Sequence, residues 1–185
     1  MPNKRVMIFI DGSNFYHATR NSFERTDVDF SRLIRQLSSP YGDLMRTYYY
    51  NSELPADWRD PDAVDGQQRF FDFLRSVPLM DLRLCRMERV THDDASVAYA
   101  EKEVDVRLAV DMVYYAMRDL FDIAILISGD GDFRYAIDYV KDMGKHVYLA
   151  YPPLGPGVQF KSIRQSSDLY IELTRDKMPW LNHGS

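Results

Sequence analysis

Two short apolar runs each break off at an acidic loop, and that pairing constrains this chain more than any other feature. Arg5 to Ile10 reads RVMIFI and is followed at once by Asp11-Gly12-Ser13-Asn14. Ile123 to Ile127 reads IAILI and is followed by Ser128-Gly129-Asp130-Gly131-Asp132-Phe133. A continuous apolar run too short for a helix reads as a strand buried on both faces. Two such strands belong side by side at the centre of a sheet. Asp11, Asp130 and Asp132 are then expected at one shared edge.

The rest of the chain alternates between the two periods. A helix follows the first strand, with Ser13 or Asn14 as its cap. A second opens at Asp29 and puts Phe30, Leu33, Ile34 and Leu37 on one face, stopping near Pro40. Further helices are expected over Ala63–Val77, Glu103–Leu120, Phe133–Met143 and Lys161–Ser166. Strands are expected over Leu44–Tyr50, Leu82–Val90, His146–Tyr151 and Leu169–Leu173. Asn51–Pro61 and Thr91–Tyr99 read as loops. The alternation predicts an α/β fold, a three-layer α/β/α sandwich with a mainly parallel central sheet. One domain over residues 1–175 is expected, with a tail at 176–185. Ligands of such sheets bind beyond the carboxyl ends of the strands.

Composition narrows the chemistry. One cysteine, Cys85, excludes a disulfide framework, and the four histidines lack a zinc spacing. No segment is long enough to span a bilayer and the N-terminus lacks signal-peptide architecture, so a cytoplasmic protein without a membrane role is expected. A net charge of -5 is not the usual footprint of a nucleic-acid-binding domain. Acids gathered at a metal site offset a basic rim elsewhere, so the balance does not exclude nucleic acid.

A third acid joins the two strand-end motifs. Asp105 falls in line with Ala109, Met112 and Ala116 at helical spacing, at the end of a core-facing stripe. Carboxylates brought together repel one another unless a cation compensates. Mg²⁺ and Mn²⁺ are hard ions that take such oxygens. Gly12, Gly129 and Gly131 let the backbone turn tightly, and Ser128 and Asn14 can position a water or a phosphate oxygen. The plainer reading makes each Asp a turn or helix-cap residue. The residues alone leave both readings standing.

Four stretches then resemble the NYN family of the PIN-like nuclease superfamily, particularly its LabA-like branch. They are IFIDGSNFY at 8–16, KEVDVRLAVDM at 102–112, ILISGDGDFRYAIDYVKDMGKHVYLA at 125–150 and KSIRQSSDLYIEL at 161–173. The resemblance implies a PIN-like fold and a cluster of Asp11, Asp105, Asp130 and Asp132 that binds Mg²⁺ or Mn²⁺. Asn14 and Ser128 would support it, and Asp111 matches a recurrent acid of structural or supporting role. The chain departs from the family at Glu103, where many members carry Gly.

The implied activity is a metal-dependent ribonuclease that hydrolyses single-stranded RNA and leaves a 5′ phosphate. Arg46, Lys102, Arg134, Lys145, Lys161 and Arg164 are candidate substrate contacts, each equally an ordinary surface charge. Tyr16 and Phe133 flank the acidic motifs as stacking candidates, although Phe15 and Phe133 suit a core better. The alternative is a non-catalytic regulatory or adaptor protein of the LabA-like type, with a protein partner. Tyr48, Tyr50, Trp58 and Trp180, read as exposed, suggest a homodimer.

Overall fold

The computed structural model of the chain describes residues 3–91, 97–101, 103–153 and 158–181. The first half runs β1 (Arg5–Asp11), α1 (Gly12–Phe23), α2 (Phe30–Ser38), β2 (Asp43–Glu53), α3 (Pro61–Ser76), β3 (Met80–Thr91) and β4 (Val97–Glu101). The second half runs α4 (Val104–Met117), β5 (Ile123–Ile127), a 3₁₀ turn (Gly131–Phe133), α5 (Arg134–Asp142), β6 (His146–Tyr151), α6 (Val158–Ser166) and β7 (Leu169–Glu172).

The strands form one sheet in the order β4-β3-β2-β1-β5-β6-β7. Every neighbouring pair is parallel except β3 and β4. The chain winds outward from β1 through β2 to β4, then returns beside β1 and winds the other way. The order therefore reverses between β1 and β5, and the crevice beyond their carboxyl ends is where such sheets bind ligands. The two apolar runs are neighbours in the middle of the sheet, as their composition predicts.

Right-handed crossovers wound in opposite directions put helices on both faces. The odd and even residues of the central strands point to different cores. Val6, Ile8, Ile10, Ile123, Ile125 and Ile127 pack with Phe15, Phe30, Leu33, Phe71 and Leu74 from α1 to α3. Met7, Phe9, Ala124 and Leu126 pack with Leu108, Met112, Ile137, Val140 and Ile163 from α4 to α6.

The opposite, amino end of the sheet is fastened by charge. Arg5 donates from its backbone N–H (2.7 Å) and from its guanidinium to the Asp122 carboxylate, and its guanidinium also reaches Asp119. Lys145 pairs with Asp119 as well. These contacts bind the entries of β1, β5 and β6 together.

Several boundaries differ from the sequence reading. β2 continues through Asn51–Glu53, because parallel pairing with β3 reaches Glu53↔Arg86. The loop expected over Thr91–Tyr99 runs into a strand at Val97–Glu101, paired antiparallel to β3. Residues 92–96 lie outside the described residues. The α1 cap is Asp11 itself, whose side chain accepts from the Asn14 N–H, and not Ser13 or Asn14. Met178 is buried in the first core and Trp180 bridges Val28, so the boundary drawn at 175 falls inside packed chain. Among the described residues no helix is long and apolar enough to cross a membrane.

Candidate metal centre

Asp11 closes β1 and is 4% exposed. Each of its oxygens takes one hydrogen bond. Oδ1 accepts from the Asn14 N–H at 3.2 Å, and Oδ2 accepts from Ser128 Oγ at 2.9 Å. Ser128 Oγ in turn accepts from the Asp130 N–H at 3.1 Å. Asp130 Oδ1 accepts from the Asp132 N–H at 2.9 Å and so caps the 3₁₀ turn. The acidic loop after β5 is thus folded on its own carboxylates and tied to the end of β1.

Asn14 makes a second tie. Its Oδ1 accepts from the Gly129 N–H at 3.0 Å and from the Tyr151 hydroxyl at the end of β6. Tyr151 went unnoticed in the sequence. Its signal is only that it ends a strand neighbouring β5, at the same carboxyl edge. The glycines here serve packing. A Cβ on Gly12 would lie 2.5 Å from the Tyr49 ring, and one on Gly129 would lie 2.6 Å from the Tyr151 ring. The space beside both loops is filled by tyrosine, where the sequence reading left it for a phosphate.

A cleft of about 330 Å³ opens at this edge and is lined by Asp11, Ser13, Asn14, His17, Asp105 and Asp130, with Tyr151 beside them. Burial pushes the Asp11 pKa up to about 7, and the charges of Asp105 and Asp130 add to the rise against the two hydrogen bonds. Asp105 lies in the first turn of α4. The core stripe of that helix is Val104, Leu108, Met112 and Ala116, so Asp105 stands beside the stripe and is exposed along its outer side, not at its end as the spacing suggests. Loss of water on its inner side raises its pKa, and Asp130 and Asp132 raise it further. Asp132 itself is exposed at the rim.

Other candidates are dispersed. Asp111 accepts from the Tyr50 hydroxyl at 2.9 Å and lies 3.8 Å from Arg83. Arg46 pairs with Asp81 and stands level with Met7, four residues below Asp11 on the β1–β2 ladder, or about 13 Å at strand rise. Lys145 belongs to the charge cluster at the amino end. Neither reaches the acidic edge, because each begins a strand whose carboxyl end forms the cleft. Lys102 lies outside the described residues. Arg134 follows the acidic turn and sits 3.9 Å from Asp138. Arg164 lies over the Tyr170 ring at 4.5 Å, and Lys161 is exposed on α6, which packs against the 131–133 turn. Phe133 is buried and Tyr16 is exposed.

Glu103 answers to its backbone. It adopts φ 71°, the left-handed region that favours glycine, at the entry to α4. Its side chain lines a different groove, with Arg107 and Val110.

Apart from the His17 imidazole, the donors of the cleft are carboxylate, amide and hydroxyl groups, and the acids carry unbalanced negative charge, which suits a hard divalent ion. Among the described residues no three acids are assembled closely enough to enclose an ion unaided. The cleft therefore fits an ion that keeps much of its water and takes one or two carboxylates directly.

Comparisons with known proteins agree with this fold. The chain is 26% identical over 172 residues to the low amplitude and bright protein LabA of Synechococcus elongatus, covering 91% of this chain and 83% of that protein. A crystal structure of a protein of unknown function, VPA0982 from Vibrio parahaemolyticus, superposes with a TM-score of 0.70 at 20% identity and covers 95% of this chain and 96% of that one. The latter likeness shows the shared fold alone. The NYN domain matches residues 5–182, nearly the whole chain, and the protein belongs to that family.

Proposed function

We propose that this chain is a metal-dependent ribonuclease acting on single-stranded RNA. The observation that carries the reading is the buried Asp11, facing Asp105 and Asp130 across one cleft at the reversal of strand order. One or two of Asp11, Asp105 and Asp130 would hold Mg²⁺ or Mn²⁺ directly and the others through its waters, with Asp132 at the rim, and the ion would polarise the phosphate and activate a water. The chain's own groups do the rest. Ser128 and the Asn14 N–H fix the Asp11 carboxylate from two sides. Tyr151 and the Gly129 N–H hold Asn14, which keeps the α1 entry against the acidic loop. Arg134, which follows the acidic turn, and Lys161, on the helix packed against that turn, are exposed and suit phosphates next to the scissile one. An open strand is the substrate that can lay its backbone across so shallow an edge.

A regulatory role without catalysis is the second reading. It is favoured by the acidic balance and by the lack of three preassembled acids among the described residues. Similarity to LabA is compatible with either. The deciding experiment incubates the protein with end-labelled single-stranded RNA in Mn²⁺, Mg²⁺ or EDTA, beside Asp130→Asn. Cleavage that requires the ion and vanishes in the variant is expected. Absence of both cleavage and calorimetric ion binding would leave the regulatory reading.

A further inference from the structure

We propose that the pocket behind α1 is a nucleobase subsite adjoining the acidic cleft, an inference that rests on the ribonuclease reading for its choice of ligand. The pocket has a volume of about 570 Å³ and lies between α1, the end of β2 and α3. Ser13 and His17 line both it and the acidic cleft, so the two spaces adjoin. Its walls include Phe70, which is partly exposed and offers a ring for a base to stack on, with the buried Phe30 and Tyr49 packed behind it. Asn51 supplies the polar edge. Its Oδ1 accepts from the Ser52 N–H at 2.8 Å, and its Nδ2 has no partner among the described residues. With Ser13 and His17 on the same lining, a free amide donor beside an aromatic wall matches the acceptor edge of a base better than it matches a purely apolar ligand.

Gly66 strengthens the assignment. It lines the pocket from inside α3, and a Cβ built on it meets no atom within 4 Å. Glycine inside a helix is a destabilising choice, and no packing contact requires it here. Its effect is to keep the pocket open. A longer side chain at 66 enters that space without touching any acid of the cleft.

The test uses ligand-observed NMR with AMP, CMP, GMP and UMP against the wild type, Gly66→Ala and Gly66→Leu, with melting curves for each. At least one nucleotide should bind wild type and Gly66→Ala, and bind Gly66→Leu about tenfold more weakly or worse. Ala63→Leu, from the next turn of the same wall, serves if Gly66→Leu fails to fold. Equal binding by the blocked variant, or no binding by wild type, overturns the subsite. Cleavage without nucleotide binding sinks the pocket and spares the ribonuclease reading. Blocked-pocket loss of binding without any cleavage does the reverse.

A second, independent observation concerns the outer face of α4 and α5. Val106 (67% exposed), Val110, Tyr114 and Met117 (64%) run along α4, and Tyr135 (71%) and Tyr139 (60%) along α5. A groove of about 420 Å³ lies between the two helices. Leu120 and Met143 are exposed just beyond the ends of the two helices, and exposed apolar side chains gathered around one groove mark a surface that a partner covers. The rim carries both signs, Arg118 and Arg134 beside Asp132 and Asp138, which selects neither an acidic nor a basic partner. We infer that this face seats a second copy of the chain across a two-fold axis, where the mixed rim meets itself.

The homodimer expected from the sequence is therefore reassigned. Tyr48 and Tyr50 are buried and Trp58 and Trp180 are only partly exposed. Sedimentation equilibrium at tens of micromolar should give twice the 21.7 kDa chain mass. Tyr139→Arg and Val110→Arg should give monomers with native circular dichroism, while Phe73→Arg on α3 stays dimeric. A monomeric wild type, or a dimer indifferent to both α4–α5 variants, overturns the proposal.

Discussion

Ser128 Oγ donates to Asp11 Oδ2 at 2.9 Å, joining the ends of β1 and β5 across 117 residues of chain. Both side chains are buried. Ser128→Ala removes that donor and also the acceptor of the Asp130 N–H. Leaving buried polar groups unpaired costs about 1–3 kcal/mol, which urea denaturation will show as a lower midpoint. The bond holds the Asp11 pKa down against burial, so the variant's Asp11 should titrate higher still, as carboxyl ¹³C shifts would report.

Asp11 makes metal-free stability depend on pH. Its folded pKa of about 7 lies above the ordinary 3.8. The folded chain therefore binds this proton more tightly than the unfolded chain, and loses that advantage as pH rises from about 4 through about 7. At about 1.4 kcal/mol per pH unit the loss is at most about 4 kcal/mol. Asp11→Asn should flatten this slope in EDTA and gain on the wild type above neutral pH. Mg²⁺ or Mn²⁺ should raise the melting temperature of the wild type and leave the variant unmoved.

Glu103 holds the left-handed backbone at φ 71° with no side-chain cap bond to offset it. Glu103→Gly should stabilise the chain by about 1 kcal/mol, the usual cost of that conformation for a residue with a Cβ. Glu103→Ala, which keeps the Cβ, should gain little. Denaturation midpoints of the pair separate backbone strain from loss of charge.

At the other end of the sheet, the Arg5 hydrogen bonds hold the Asp122 pKa down to about 2. This depressed carboxyl contributes stability that is present above about pH 4 and is lost as pH falls through about 2. Arg5→Met should cost about 1 kcal/mol near neutrality, an amount reduced by solvent screening at this part-exposed pair. The gap from wild type should close on acidification. Ion binding at the cleft should not change, because these residues occupy the opposite edge.

Some of this protein was legible residue by residue. Burial on both faces demands an unbroken apolar run, so RVMIFI and IAILI declared central strands. Breaks at Asp and Gly declared their ends, and neighbouring strand ends bring Asp11 and Asp130 to one edge. The stripe Phe30, Leu33, Ile34 and Leu37 on α2 followed from helical spacing and is buried. Val97–Glu101 was not legible, because its apolar run is only four residues long and its strand conformation is set by antiparallel pairing with β3.

Only the tertiary structure decided what each polar group faces. Asp105 and Asp111 share a helix, yet one borders the acids and the other bonds Tyr50. Arg46 and Lys145 look like any other surface base until the register assigns them to the wrong end of their strands. Tyr48 and Tyr50 read as surface aromatics and lie under α4, while Tyr135 and Tyr139, within the helix expected over Phe133–Met143, lie bare. Periodicity along a chain fixes which side of an element is apolar. It carries no information about which other element arrives to cover that side, and that is set by strand order and helix packing.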